Sequence, residues 1–487
     1  MLQKKTGKQA KDKNQFPSKD MGKRLSVFPV DTKPRIMLFF PAVAVQLIAS
    51  ALSGVGYTLN GAAYWLAGMI VWVVWFFIMF LIVTPQTDGL LQGWDGVLKR
   101  GAMTIFISLL ILGIAEVLIF GVFAHWFLDN GIDNAADKLV AQMYSGFRYN
   151  DGTALCQQAA ENLLEGKEPY ANANIVTAFI KYNGAYDRVT PLQLGRFKGV
   201  FPYPTKEQIQ QIWDEALQHP SQPPVELESR VCYPAGSFLL IAPFIAAGIK
   251  DIRIIYVIFV IAAIIYTAWR IPRKRRLIFI GVVLISLELW NTLAIGETGI
   301  MIFPLLLIAW ITLGENNWLS AIFMGLAVAT KQVAWFFFPF YLILLWRTAK
   351  PKTVVAWLGI IAAVFIATNG YFIAKSPVLW MQSVMSPMTE PLFPLGVGFV
   401  SLITSGLVLL QTALPFALAE IIVLIGVGLW YMRYCKRYPD VGPILAILPL
   451  FFAWRSLWTY FFYVAIIVLA RMLIRDEKKP LTLESSR

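Results

Sequence analysis

Runs of roughly 18 or more apolar residues recur along most of this chain, and no other feature constrains its fold as much. Wound as a helix, such a run crosses a hydrocarbon core about 30 Å thick while satisfying its own backbone. The runs are continuous rather than alternating, which excludes a transmembrane β-barrel. Composition agrees, with 57% hydrophobic residues, 15% charged residues and a mean hydropathy of +0.62, where soluble domains carry about 25% charged residues. The sequence therefore predicts an all-α polytopic membrane protein, a bundle of about 12–14 transmembrane helices. Candidate spans cover 36–59, 61–83, 102–127, 252–269, 277–295, 299–313, 318–331, 333–346, 353–373, 415–432, 441–454 and 457–474. Two further apolar stretches, 234–248 and 394–411, are harder to place.

The net charge is +13, but the basic residues sit in short loops between apolar runs and at the two ends. That is the positive-inside pattern, so the charge reports orientation in a lipid bilayer and implies no nucleic-acid partner. Residues 1–35 read as a disordered, lysine-rich cytoplasmic arm without the apolar core of a signal peptide. Residues 36–101 add two helices and a cytoplasmic loop, 102–474 form the transmembrane core, and 475–487 are a cytoplasmic tail. With the arm inside, the segment 128–233 is extracytoplasmic. The run RIPRKRR, Arg270 to Arg276, belongs inside, which requires 234–248 to be a half-helix or re-entrant piece. Arg347 to Lys352, MRYCKRY and the final RDEKK also fall inside, provided that 394–411 does not span. Irregular backbone at membrane depth is tolerated only where protein covers it or it lines a wet cavity. A cavity opening outward is thus expected; fourteen plain spans with some misplaced positive charge is the competing arrangement.

The 128–233 segment is too long for a simple connection, and its acids outnumber its bases. Amphipathic helices are legible in GIDNAADKLVAQMY, in DGTALCQQAAENLLEG with its Gly166 stop, and in TKEQIQQIWDEAL, where Thr205 and Gln208 have capping-box spacing. Such helices suit a membrane surface. Cys156 and Cys232 both fall in this segment. An oxidising exterior permits a disulfide between them, and two free thiols are equally compatible with the sequence.

Soluble catalytic signatures are missing: no Walker loop, GxSxG elbow, CxxC pair or HExxH occurs, and His125 and His219 are the only histidines. No histidine metal site is expected, although the acidic loop leaves a divalent cation open. What remains is a set of ionisable residues at helix breaks, all on one side of the predicted topology. Asp151 heads a loop helix, Glu297 lies in the turn AIGETG, Lys331 interrupts LAVATKQVAWFFF and Arg455 interrupts FFAWRSLWTYFF. Each has a plainer reading: a helix N-cap for Asp151, capping or snorkelling for Lys331 and Arg455, a turn residue for Glu297. Glu116, Glu288 and Glu420 lie deeper in spans, where interhelical hydrogen bonding explains them better than catalysis. One carboxylate and two cations around a cavity suit a reaction with an anionic leaving group, such as phosphate lost from a lipid-linked donor. A transporter or lipid flippase is the alternative, but one long asymmetric loop and no internal repeat count against it.

These residues stand in motifs with a family likeness. RYNDGTALCQQAAENLLEGKEPY, CYPAGSFLLIAPF, LAVATKQVAWFFFPF and RSLWTYFFY resemble, in order, segments of the GT-C superfamily of polytopic glycosyltransferases. More narrowly they resemble glycosyltransferase family 87, which includes mannosyltransferases. GETG stands where that family often has a GQ-x-N pattern, and YPA where it has YPP. The resemblance implies transfer of one sugar, mannose foremost, from a polyprenyl-phosphate donor to a hydroxyl of a lipid-linked or cell-envelope glycan acceptor. It implies an enzyme of the plasma or inner membrane whose active site is extracytoplasmic. Asp151 would be the general base and Lys331 and Arg455 would hold the donor phosphate. Tyr170, Tyr233, Glu297, Gln332, Trp335, Trp458 and Tyr460 would line the substrate cavity, with Pro234 and Trp454 beside them.

Overall fold

The computed structural model describes residues 32–59, 61–119, 148–314 and 317–475. Among these, six helices are long and apolar enough to cross a membrane: Pro34–Leu59, Ala62–Val83, Thr87–Leu118, Ile252–Arg270, Pro351–Lys375 and Leu414–Tyr434. The span expected over 277–295 is instead a bent pair, with Arg273–Ile285 and Leu287–Ile295 meeting at 53°. The break falls at Ser286, whose hydroxyl donates to the Val282 carbonyl at 2.7 Å while the Trp290 indole donates to Val283 at 3.1 Å. Side chains that compete for the carbonyls of one turn are an identifiable cause of a kink.

The runs over 299–313, 318–331, 333–346, 441–454 and 457–474 form helices of only 10–17 residues. At 1.5 Å per residue, the 13 residues of Gly299–Ile311 reach about 20 Å, short of the roughly 30 Å hydrocarbon core. That helix buries every residue except Ile308, whereas Leu414–Tyr434 buries only Tyr431. A helix apolar on all sides and buried on all sides is bundle core. The short helices are therefore packed inside, and the long ones present apolar faces outward. Ala62–Val83 joins the bundle through Trp72 and Phe76, whose rings lie 5.1 Å and 5.3 Å from Phe461 and Phe451.

Neither irregular segment spans. Residues 234–248 hold two short helices, Gly236–Leu239 and Ala242–Ala246. Within 394–411, Leu395–Gly396 pairs in parallel with Arg455–Ser456 and a single helical turn, Ser401–Thr404, follows. Gly396 sits at φ +139°, and a Cβ there would overlap the Ser456 backbone, so glycine is required for the close approach.

The polar segment contributes helices Asp151–Leu164, Ile175–Tyr182 and Lys206–Ala216, the last started by a formed Thr205–Gln208 capping box. Two of them turn apolar residues to protein, not to a membrane surface. Leu155, Cys156, Ala159 and Ala160 of the first and Ile209, Ile212 and Trp213 of the third are buried against protein. The GIDNAADKLVAQMY stretch, His125, most of the basic arm and nearly all of the C-terminal tail lie outside the described residues. At one end of the bundle Arg35 pairs with Asp88 at 3.0 Å, and Asp440 pairs with Arg471 at 3.0 Å and Arg475 at 2.7 Å. Lys33 and Arg275 share the electrostatic field of this group.

Candidate active site

A cavity of about 720 Å³ lies between the polar segment and the bundle. Asp151, Tyr233, Glu297, Lys331, Gln332, Trp454, Arg455, Trp458 and Tyr460, each singled out from the sequence, stand in its wall. Tyr170 and Trp335 do not. The Tyr170 hydroxyl donates to the Tyr233 carbonyl at 3.0 Å, with its ring edge-on to Phe238 and Phe372. The Trp335 indole donates to the Val328 carbonyl at 2.8 Å. Both rings found a buried polar partner behind the wall, as amphipathic aromatics do.

Asp151 is the first residue of its helix, not the cap. Asn150 caps, accepting the Thr153 amide at 2.8 Å, while Asp151 Oδ1 accepts the Gly152 amide at 2.6 Å. The plain capping role is thus filled by the neighbour, and the Asp151 carboxyl faces the cavity. Burial pushes that carboxyl above the usual carboxylate range, against hydrogen bonds from Thr190 and Gly152 and the attraction of Arg455. Gly152 is small for a reason: a Cβ there would stand 2.9 Å from the Tyr233 hydroxyl. The Thr153 hydroxyl donates to the Gly296 carbonyl, which docks the helix on the GETG turn. Gly296 closes the preceding helix at φ +77°, a left-handed position natural to glycine. Glu297, next in line, has the Asn150 side chain as a hydrogen-bond partner.

Lys331 sits where Asn317–Val328 gives way to Val333–Thr348. It is 6% exposed, its Nζ donates to the Thr298 hydroxyl, and it stands 4.8 Å from the Tyr233 ring centroid. This break is held by backbone contact, since the Gly236 amide donates to the Ala329 carbonyl at 2.9 Å. Gln332 fastens two further segments, donating to the carbonyls of Cys232 and Val384, each at 2.6 Å. Asn369, buried in Pro351–Lys375, accepts the Ala235 amide at 2.7 Å. Arg455 is aimed by the short strand pair, and its Nη1 is buried without a hydrogen-bond partner among the described residues.

Several lining residues escaped the sequence reading: Tyr57, Asn150, Tyr203 and Glu228. Glu228 is 7% exposed, accepts the Arg230 amide at 2.9 Å, and is pushed up to about 7, chiefly by burial. Glu420, expected to bond between helices, instead shares a cavity-facing side of its helix with Ala417, Ile421 and Leu424. Asn369 could have been found as a lone amide in an apolar run. Tyr57 and Tyr203 leave no such signal, because tyrosine is ordinary at membrane interfaces. Cys156 and Cys232 are free thiols, so the disulfide is not formed. Cys156 lies on the buried face of its helix, where burial pushes the thiol up to about 12. Among the described residues no group of three His, Cys, Asp or Glu side chains is placed to hold a metal ion.

Residues 232–452 match the model of glycosyltransferase family 87. Over that stretch the chain is similar to the glycosyltransferases of family 87. The stretch brings Tyr233, Glu297, Lys331 and Gln332 to the cavity, whereas Asp151 lies before it and Arg455 just after it. No curated protein and no solved structure matches the chain. The matched region thus supplies one wall, and the polar segment, the last helices and Tyr57 of the first helix supply the others.

Proposed function

We propose that this protein moves a sugar, mannose foremost, from a polyprenyl-phosphate donor to a hydroxyl of a lipid-linked or cell-envelope glycan acceptor. The observation that carries the proposal is the convergence of Asp151, Lys331 and Arg455 on one cavity, with Arg455 Nη1 buried and unpartnered among the described residues. A buried charged donor left unmade is costly, and an anionic phosphate oxygen satisfies it. In the reaction, Asp151 takes the proton of the acceptor hydroxyl as its oxygen bonds to the anomeric carbon. The bond from that carbon to the phosphate oxygen breaks, and the electron pair leaves on polyprenyl phosphate, neutralised by Lys331 and Arg455. A carboxyl held above its usual range is closer to the working pH of a general base. Ala417, Ile421 and Leu424 give the cavity an apolar side suited to a prenyl chain.

The proposed orientation puts this cavity at the outer face of a plasma or inner membrane, with both termini cytoplasmic. Arg35, in the cationic group, and Tyr57, in the cavity, stand at opposite ends of the Pro34–Leu59 helix. Helical rise puts them about 33 Å apart, close to one hydrocarbon thickness, and the positive-inside rule places the cationic end in the cytoplasm.

The test is sugar transfer by purified full-length protein in nanodiscs, from synthetic polyprenyl-phosphate sugars to an envelope lipid extract. Transfer is expected, with Lys331→Met and Arg455→Met weakening donor use. No transfer from any donor, together with solute movement across vesicles, would make the protein a transporter instead.

A further inference from the structure

The helices Pro34–Leu59 and Ala62–Val83 precede the matched glycosyltransferase region and look like an anchor. Their outer-end chemistry says otherwise. Tyr57, two residues before the first helix ends at Leu59, lines the cavity, as does Tyr203 from the polar segment. Their rings meet edge to face, with centroids 6.1 Å apart and planes at 75°. Tyr203 is braced from another side by Phe393, at 5.5 Å. Both tyrosines are only half-buried, so ring surface remains open to the cavity. An interfacial tyrosine of a simple anchor turns to lipid headgroups; this one turns to protein.

The neighbours of the pair are those a polyhydroxylated ring needs. Asp187, Arg188 and Arg455 act electrostatically on Tyr57, and Arg455 and Asp151 on Tyr203. Tyr233, by contrast, faces Lys331 and Thr298. Asp151 is therefore shared between two aromatic surroundings, one beside Lys331 and the other beside Arg455. A single donor sugar has use for one of them. In an edge-to-face tyrosine pair the ring that presents its edge keeps its own face uncovered by the other, a flat surface for the C–H face of a second ring, and a carboxylate and guanidinium beside it bind hydroxyls.

We infer that Tyr57 and Tyr203 form an acceptor subsite, which takes the sugar or polyol ring carrying the attacking hydroxyl, and that the first helix thereby sets acceptor specificity. This rests on the glycosyltransferase reading above. The roles are those of binding residues that present the acceptor to Asp151; neither tyrosine takes part in bond making.

The experiment uses full-length protein in nanodiscs, with Tyr57→Ala, Tyr203→Ala and the conservative Tyr57→Phe. Steady-state transfer is measured against donor and acceptor separately, and octyl mannoside binding is followed by saturation-transfer NMR. Both alanine variants are expected to raise acceptor KM about tenfold or more, the scale of one lost aromatic surface, with donor KM unchanged. Octyl mannoside binding should weaken in parallel, and Tyr57→Phe, which keeps the ring, should recover most of it. Unchanged acceptor KM and unchanged glycoside binding in folded alanine variants would overturn the subsite, as would an effect confined to donor KM. A parent that binds octyl mannoside through Tyr57 yet transfers no sugar would leave the subsite standing and remove the transfer reaction.

Discussion

Replacing Asp151 by asparagine separates chemistry from helix capping, because the structure gives those two jobs to different residues. The Asn side chain keeps the shape and the acceptor for the Gly152 amide, now at 2.6 Å, and leaves the Asn150 cap on Thr153 intact. A carboxyl that burial already pushes upward loses no folding energy when it becomes a neutral amide. Asp151→Asn is therefore expected to keep its thermal midpoint to within about 0.5 kcal/mol of the parent. Its transfer rate should fall about 10²–10⁴-fold, roughly 3–5.5 kcal/mol of barrier, the usual contribution of a positioned base. Asn150→Ala should show the opposite pattern, costing about 1 kcal/mol of stability for the lost cap with a far smaller effect on rate. The assay is single-turnover transfer from a fluorescent polyprenyl-phosphate sugar, beside thermal unfolding of the same samples. The pH profile adds a sign. A base works unprotonated, so the parent rate should fall as pH drops through the raised carboxyl, at values above the ordinary range near 3.9. If Asp151→Asn transfers at the parental rate, or slows only in step with lost stability, the base assignment is wrong and capping is the better account.

Three further outcomes follow from the packing. Glu228 is pushed up to about 7, so the folded protein favours its protonated form, and that stability is lost as pH rises from about 4.5 through 7. Glu228→Gln should raise the thermal midpoint at pH 8, by up to about 3 kcal/mol, and change nothing at pH 4; equal curves at both pH values would contradict the burial. Gln332→Leu leaves the carbonyls of Cys232 and Val384 unpaired and should cost about 1–3 kcal/mol for each that water cannot reach, measured by thermal unfolding. Gly236→Ala places a Cβ 2.5 Å from the Ala329 carbonyl oxygen and 2.7 Å from the Thr330 hydroxyl. It should lower stability by about 1–3 kcal/mol, and a parental midpoint would show that the two segments do not dock so closely.

The site was legible wherever a charge interrupts an apolar run. Glu297, Lys331 and Arg455 stand out for that reason, and all three line the cavity with Asp151. Asp151 was harder to read, because Asn150 and Asp151 are both good caps and sequence does not fix which of two adjacent residues takes the role. Glu420 is conspicuous, but which side of its helix meets a cavity is decided by neighbours distant in the chain. The membrane class was plain, whereas the lengths of the spans were not. A helix such as Gly299–Ile311, buried on nearly every side, and one such as Leu414–Tyr434, apolar and outward-facing, are both apolar runs, because lipid tails and a protein core are alike as solvents. Tyr170 and Trp335 were misplaced for a related reason: an aromatic near the cavity in sequence can spend its polar atom on a carbonyl behind the wall.

The strand pair that aims Arg455 also bears on how the protein is made. Synthesis runs from the N-terminus, so Asp151 and Lys331 are inserted well before Arg455 leaves the ribosome. Until it does, Leu395 and Val397 lack the carbonyls of Trp454 and Ser456 to which their amides donate at 3.3 and 2.7 Å. A chain stalled short of that point carries its carboxylate and one cation beside an open flank, with no guanidinium to receive an anion. The second cation of the cavity is thus acquired in a single late step, when the final helices fold back on a segment inserted earlier. On the proposed function, a partly translated protein would offer the donor Lys331 alone.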